Sequence, residues 1–293
     1  MQLARTGVLD IAYEATGLEG GTPVILLHGF PDDARAYDEV VGPLAEHGCR
    51  VLVPYLRGYG QTRFLDPATP RSGQQAALGA DLRDFMDALG IEKAVLGGYD
   101  WGGRAACVVS ALWPERVTGL VSINGYNIQN IALSGKPADA EQEYRHWYQW
   151  YFNTERGRAG LTANRHEICR LLWQLWSPNW HFSESKYAAT AVSFDNPDFV
   201  DVVIQSYRHR HGNALGDPAL EPIEALLAAQ PAIAVPTIVL HGEADGVGPV
   251  AGSEGAHKHF GARYERRVVP VAGHFLPHEA PDAVVQAVRD LLG

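Results

Sequence analysis

Two hydropathy patterns alternate along most of this chain. Short apolar runs, beginning with Val24-Ile25-Leu26-Leu27, have the length and continuity of strands buried on both faces of a parallel sheet. Arg50–Pro54, Ala94–Gly97, Thr118–Ile123, Thr237–Leu240 and Glu265–Val271 read as further strands. Between them lie stretches with apolar residues at helical spacing, as in Leu78, Leu82, Phe85, Met86 and Leu89 within Ser72–Leu89. Ala34–His47, the segment through Ala111, Val250–Phe260 and Pro281–Leu292 read as helices too, and Leu3–Val8 with Leu9–Ala15 as an edge hairpin. Strands alternating with helices predict an α/β fold built on a mostly parallel sheet with right-handed crossovers. The alternation lapses from about residue 129 to 215, where the pattern is helical and crowded with aromatic residues. One sheet domain formed by residues 1–128 and 216–293, interrupted by a helical cap at 129–215, accounts for this order.

Bulk properties narrow the partners. At 293 residues the chain can bury a full core, and 46% hydrophobic with 20% charged residues is ordinary for a globular protein. A formal charge of −10 argues against nucleic acid or an anionic membrane surface, both of which need a basic face. Cys49, Cys107 and Cys169 are widely spaced and odd in number, as expected of reduced thiols in a cytoplasm. The N-terminal residues do not resemble a signal peptide, and no apolar run reaches membrane-spanning length. The expectation is a soluble cytoplasmic protein acting on a small molecule, with no metal or cofactor signature and with a homodimer left open.

The chemistry concentrates where strands end, the usual place for sites in open α/β sheets. Gly98-Tyr99-Asp100-Trp101-Gly102 has the spacing of a nucleophile elbow, with aspartate in place of serine. Glycines flank such a bend because larger residues would clash where the backbone folds back. Taken alone, Asp100 could equally be an aspartate capping a helix. Asp245 follows the Thr237–Leu240 strand and His274 follows the last strand, so nucleophile, acid and histidine occur in the order associated with α/β-hydrolases. A single aspartate in a glycine-rich loop is ordinarily a turn residue. Three groups in that order, each at a strand end, make a site the better account.

Together with His28-Gly29-Phe30-Pro31, these segments resemble the α/β-hydrolase branch that uses an aspartate nucleophile, which holds epoxide hydrolases and haloalkane dehalogenases. The resemblance, with the cap, spans nearly the whole chain. It implies that Asp100 attacks carbon to form an alkyl-enzyme ester. His274, oriented by Asp245, would then activate water against that ester. The backbone N–H groups of Phe30 and Trp101 would serve as the oxyanion hole. His28 is expected to brace its loop.

Epoxide and halide differ in what leaves. Ring opening develops a basic alkoxide that calls for a proton donor, and a tyrosine hydroxyl on an apolar body suits a dry pocket. Tyr148, in Tyr148-Gln149-Trp150-Tyr151-Phe152, and Tyr207, in Ser206-Tyr207-Arg208, resemble the two cap tyrosines of epoxide hydrolases. Tyr151 is the nearest competitor for the role of Tyr148. Either tyrosine alone would read as packing; the pair at opposite ends of the insertion favours an epoxide hydrolase. The dehalogenase alternative has Trp101 beside the nucleophile in its favour. Against it, Phe30 stands where many haloalkane dehalogenases place asparagine. A haloacid enzyme would want arginines one and four residues after the nucleophile; Arg104 meets the second and Trp101 defeats the first. Trp101, Trp147, Tyr151 and Arg104 are further candidates for contact with an apolar epoxide. A binding protein that kept the fold and lost turnover is disfavoured by the intact Asp100, Asp245 and His274 set.

Overall fold

A computed structural model describes residues 1–293. Nine strands form one sheet: β1 (Gln2–Arg5), β2 (Leu9–Thr16), β3 (Thr22–Leu27), β4 (Cys49–Pro54), β5 (Arg63–Phe64), β6 (Ala94–Gly98), β7 (Val117–Ile123), β8 (Thr237–Gly242) and β9 (Tyr264–Val269). Their spatial order is β1-β2-β4-β3-β6-β7-β8-β9, with β5 paired to β2. The β1–β2 and β2–β4 pairs are antiparallel, and every pairing from β4 to β9 is parallel. The apolar runs explain the centre: Val24–Leu27, Val51–Val53, Ala94–Leu96 and Leu120–Val121 are all buried. Burial on both faces is what continuous hydrophobicity along a parallel strand requires.

Helices α1 (Asp38–Glu46), α2 (Gln75–Ala88) and α3 (Asp100–Leu112) join the first parallel strands. The close approach of α2 to α3 depends on Gly79, where a Cβ would fall 2.2 Å from Val108 Cγ1. Between β7 and β8 come α4 (Ala140–Arg145), α5 (Trp147–Phe152), α6 (Glu155–Trp176), α7 (Glu184–Ala191), α8 (Phe199–Arg210) and α9 (Glu221–Ala228), with no strand among them. The chain closes with α10 (Leu276–Glu279) and α11 (Pro281–Leu292). The inserted helices lie against loops at the carboxyl edge of the sheet. Trp173 Nε1 donates to Pro31 O at 2.7 Å, and the backbone N–H groups of Gly246 and His274 both donate to Trp176 O, at 2.9 and 3.1 Å. Ser193 Oγ donates to Asp33 Oδ2 at 2.5 Å. These bonds, with the aromatic residues between them, hold the insertion over the strand ends.

Three expectations shift locally. Ala34–His47 opens as a 3-10 turn over Ala34–Tyr37, capped by Asp33, before α1 begins. Val250–Phe260 is a 3-10 segment over Val250–His259, since Gly252 and Gly255 raise the entropic cost of an α-helix. The last strand stops at Val269 because Pro270 has no N–H to give a ladder. No helix is long and apolar enough to cross a membrane.

Candidate active site

Asp100 sits at the abrupt turn from β6 into α3. Tyr99 is extended, Asp100 takes a φ of 49°, and α3 begins at once. A non-glycine residue in the left-handed region is strained, and such strain is retained where surrounding structure enforces it. Here glycines do so by letting backbones touch. A Cβ on Gly98 would lie 2.6 Å from Gly102 C, and one on Gly102 would lie 2.2 Å from Leu27 O. Gly29 allows the loop after β3 to reach the bend, since a Cβ there would fall 2.5 Å from Asp100 Cβ. The result is a hydrogen bond of 2.8 Å from the Phe30 N–H to Asp100 Oδ1. Oδ2 is turned the other way, 3.6 Å from Arg104 Nη2. Trp101 follows in the first turn of α3, where amide groups have no intrahelical acceptor.

The acid and the histidine come from the neighbouring strand ends. Asp245 Oδ2 lies 3.0 Å from His274 Nδ1. Asp245 Oδ1 accepts from the N–H groups of Val247 and Gly248 at 2.7 and 3.0 Å, and Asn124 Nδ2 donates to Oδ2 at 2.5 Å. Burial by itself would raise the Asp245 carboxyl. The facing His274 and these hydrogen bonds outweigh it and hold the group below the usual carboxylate range. Burial likewise works against a charged His274, yet Asp245, with a smaller contribution from Asp100, lifts its pKa above the ordinary imidazole value. With Nδ1 engaged by Asp245, Nε2 is left buried and without a protein partner.

Two tyrosines from the inserted helices pack above this set. Tyr148 of α5 and Tyr207 of α8 meet edge to face with ring centroids 5.3 Å apart. Both rings contact Phe30, and Tyr207 also contacts Trp101. Tyr148 Oη accepts from Gln149 Nε2 at 3.1 Å, whereas Tyr207 Oη has no partner. Burial pushes both phenols up, Tyr207 well above the ordinary tyrosine value, with the neighbouring Asp100 charge adding to each. The hydroxyls therefore stay protonated at neutral pH. The indole Nε1 atoms of Trp101 and Trp176 are also buried and unpartnered. His274 Nε2, Tyr207 Oη and the Trp101 and Trp176 Nε1 atoms thus sit in one aromatic cluster without a hydrogen-bond partner in the protein, against the general rule that buried polar atoms are paired.

The remaining sequence candidates are placed less centrally. The Tyr151 hydroxyl lies against Gly160 of α6, where an added Cβ would meet it at 1.9 Å, so it packs helix on helix. Trp147 lines an open groove of about 620 Å³ that also reaches Trp176 and Asp245. His28 donates from Nδ1 to Gly29 O and accepts the Leu56 N–H at Nε2, both at 3.0 Å, and burial lowers its pKa to about 4. Neutral and fully engaged, it holds two loops together. Sequence reading passed over Asn124, although an Asn-Gly pair at the end of β7 marks a strand-end turn. It also passed over Trp176 and the buried Tyr99–Asp32–His278 chain, in which Tyr99 Oη donates to Asp32 Oδ2 at 2.5 Å and anchors the bend from below.

Comparison with known proteins agrees with this architecture. A family model described as the alpha/beta hydrolase fold matches residues 22–281. The crystal structure of a candidate epoxide hydrolase from Klebsiella pneumoniae is 46% identical, superposes with a TM-score of 0.96, and is matched over 99% of this chain and 96% of that one. Human epoxide hydrolase 4 is 24% identical over 97% of this chain and 76% of its own length. Mouse epoxide hydrolase 4 is 36% identical over a shorter stretch, covering 40% of this chain and 32% of the mouse protein.

Proposed function

This chain belongs to the α/β hydrolase fold family, and from that membership we propose that it is an enzyme hydrolysing an epoxide to a vicinal diol. Residues 129–215 act as the cap and the rest as the catalytic domain. One observation carries the reading: a carboxylate held at a strained bend has a histidine–aspartate pair beside it and two protonated phenols above it.

The geometry divides the work between the two carboxylate oxygens. Oδ1 is held by the Phe30 N–H, so Oδ2 attacks the epoxide carbon. As that C–O bond breaks, the ring oxygen takes a proton from Tyr148 or Tyr207, leaving a phenolate and an alkyl ester on Asp100. His274 Nε2 then takes a proton from water, and the hydroxide adds to the ester carbonyl carbon. The former Oδ1 becomes the oxyanion, already seated at Phe30 N–H and within reach of the Trp101 N–H. Collapse releases the diol with the acid proton, and the imidazolium proton returns to the phenolate. Asp245 keeps the imidazole in the tautomer that frees Nε2. Asp100, Asp245, His274, Tyr148 and Tyr207 are the catalytic set.

A single turnover in ¹⁸O-labelled water tests this. The label should appear in the Asp100 carboxylate, and the first diol released should be unlabelled; label in the first diol would show direct attack by water. A second reading, dehalogenation by the same nucleophile, draws on the two unpartnered indole N–H groups of Trp101 and Trp176, which could bind halide. Parallel assays of an aryl epoxide and a haloalkane separate the two: halide release without diol formation favours the second.

A further inference from the structure

Arg104 stands four residues after Asp100 on α3 and is only 9% exposed, yet its guanidinium makes no hydrogen bond within the protein. Its one carboxylate neighbour is Asp100 Oδ2 at 3.6 Å, beyond hydrogen-bonding reach. Five N–H donors are therefore left free beside the nucleophile. Arg104 opens onto a cavity of about 360 Å³ that is shared with Arg210, Gln129, Gln149, His146 and His211.

Arg210, at the end of α8, has no carboxylate partner. It donates from Nη1 to Gln149 Oε1 at 3.0 Å, the Gln129 amide oxygen, suitably oriented, accepts from its Nε and Nη2, and its guanidinium lies over the Tyr207 ring. Amides hold this cation without neutralising it. Burial and the proximity of Arg104 lower the Arg210 pKa to about 10, so it is charged at pH 7. Burial, and for both the nearby Arg210, pushes His146 down to about 4 and lowers His211, so neither adds charge. Lys136 and Glu143 also line the cavity, and their formal charges sum to zero. Two guanidiniums then face one carboxylate, Asp100, and one positive charge is left over in a chain whose formal charge is −10. Arg210 is partly exposed to the cavity, so the surplus positive charge is presented to whatever enters and favours an anionic occupant.

We propose that this cavity binds an anionic group of the substrate, so that the preferred epoxide carries a carboxylate gripped by Arg104 and Arg210 while its apolar body lies among Trp101, Phe30 and the cap tyrosines. Planar guanidinium forks match a carboxylate in geometry as well as charge. The assignment rests on the epoxide reading above and extends it to a substrate class. Arg104 is a specificity residue here: in addition to offsetting the Asp100 charge, it selects what enters.

The test compares 3-phenylglycidate, an aryl epoxide with a carboxylate, against its methyl ester, using the unaltered enzyme and the Arg104→Met, Arg104→Lys and Arg210→Met variants. The unaltered enzyme should prefer the acid at least tenfold in kcat/KM. That ratio should fall at least tenfold in each methionine variant and be partly kept by the lysine. If Arg104 only neutralised Asp100, both substrates would slow together and the ratio would hold, which would overturn the proposal, as would preference for the ester by the unaltered enzyme. A calorimetric arm needs no turnover: phenylacetate should bind at least tenfold more tightly than phenylacetamide, and Arg104→Met should erase the difference. Equal binding of the two rejects the anion site. Failure of any epoxide to yield diol rejects the hydrolase reading alone, because the binding arm still decides the anion site.

Discussion

The Tyr207 hydroxyl is fully buried in the roof of the site without a hydrogen-bond partner, which makes Tyr207→Phe an informative change. An unsatisfied buried hydroxyl carries a desolvation penalty of about 1–3 kcal/mol. Phenylalanine keeps the ring contacts with Tyr148, Phe30 and Trp101 and removes that penalty, at the expense of a small void. A net stabilisation of about 1 kcal/mol follows, read as a rise of about 2 °C in Tm for a domain of this size. Activity should move the other way. A positioned proton donor contributes about 10²–10⁴-fold, and Tyr148 remains, so the single variant should lose about 10²-fold and the Tyr148→Phe/Tyr207→Phe double variant about 10⁴-fold. Tyr148→Phe by itself should lose about 1 kcal/mol, because it strands the Gln149 amide donor that now bonds the hydroxyl. Differential scanning calorimetry and diol formation measure the two quantities on the same samples. A Tyr207→Phe protein that is less stable and turns over epoxide at the original rate would refute the reasoning, since it would make Tyr207 a packing residue.

Further outcomes follow from the same geometry. In the proposed mechanism ester hydrolysis needs neutral His274, whose folded pKa is raised above 6.5, so its rate should climb with pH through an apparent pKa above 6.5; Asp245→Asn should move that limb below 6.5, because the esterified Asp100 carries no charge and burial then outweighs the smaller effect of Glu279. The same shift makes the His274–Asp245 pair stabilise the fold most at low pH on the histidine side, with that contribution lost as pH rises through the raised pKa. On the aspartate side the contribution is present at neutral pH and lost as pH falls through the lowered Asp245 value, and urea melts across pH read both limbs. Gly102→Ala should cost more than about 4 kcal/mol or prevent soluble expression, as its Cβ would sit 2.2 Å from Leu27 O. Gly20→Ala, with open space around it, should change stability by less than about 0.5 kcal/mol in urea melts.

What the sequence disclosed follows from which interactions are local. Asp100 was legible because the bend is made by neighbours in the chain: Gly98, Gly102 and Gly103 announce it. The parallel strands were legible because burial on both faces leaves an uninterrupted apolar run, and Pro281–Leu292 is helical as its amphipathic pattern predicts. The Val250–His259 segment was not, since short 3-10 structure has no period that separates it from an α-helix in a mixed stretch. Asn124 escaped because its partner Asp245 is 121 residues away; only the pairing of β7 with β8 brings the two strand ends together. Arg210 escaped for a related reason. At the end of α8 it reads as an ordinary basic residue favoured by the helix dipole, and only the fold sets it in the same cavity as Arg104.

The proposed mechanism requires a covalent bond between Asp100 and substrate carbon. His274→Gln removes the base for the second step while leaving the first intact, so mixing that variant with an aryl epoxide should raise its intact mass by the full mass of the epoxide. Peptide mapping should place the addition on Asp100, and an Asp100→Asn/His274→Gln control should show none. An unmodified His274→Gln protein that still forms diol would contradict the two-step mechanism outright.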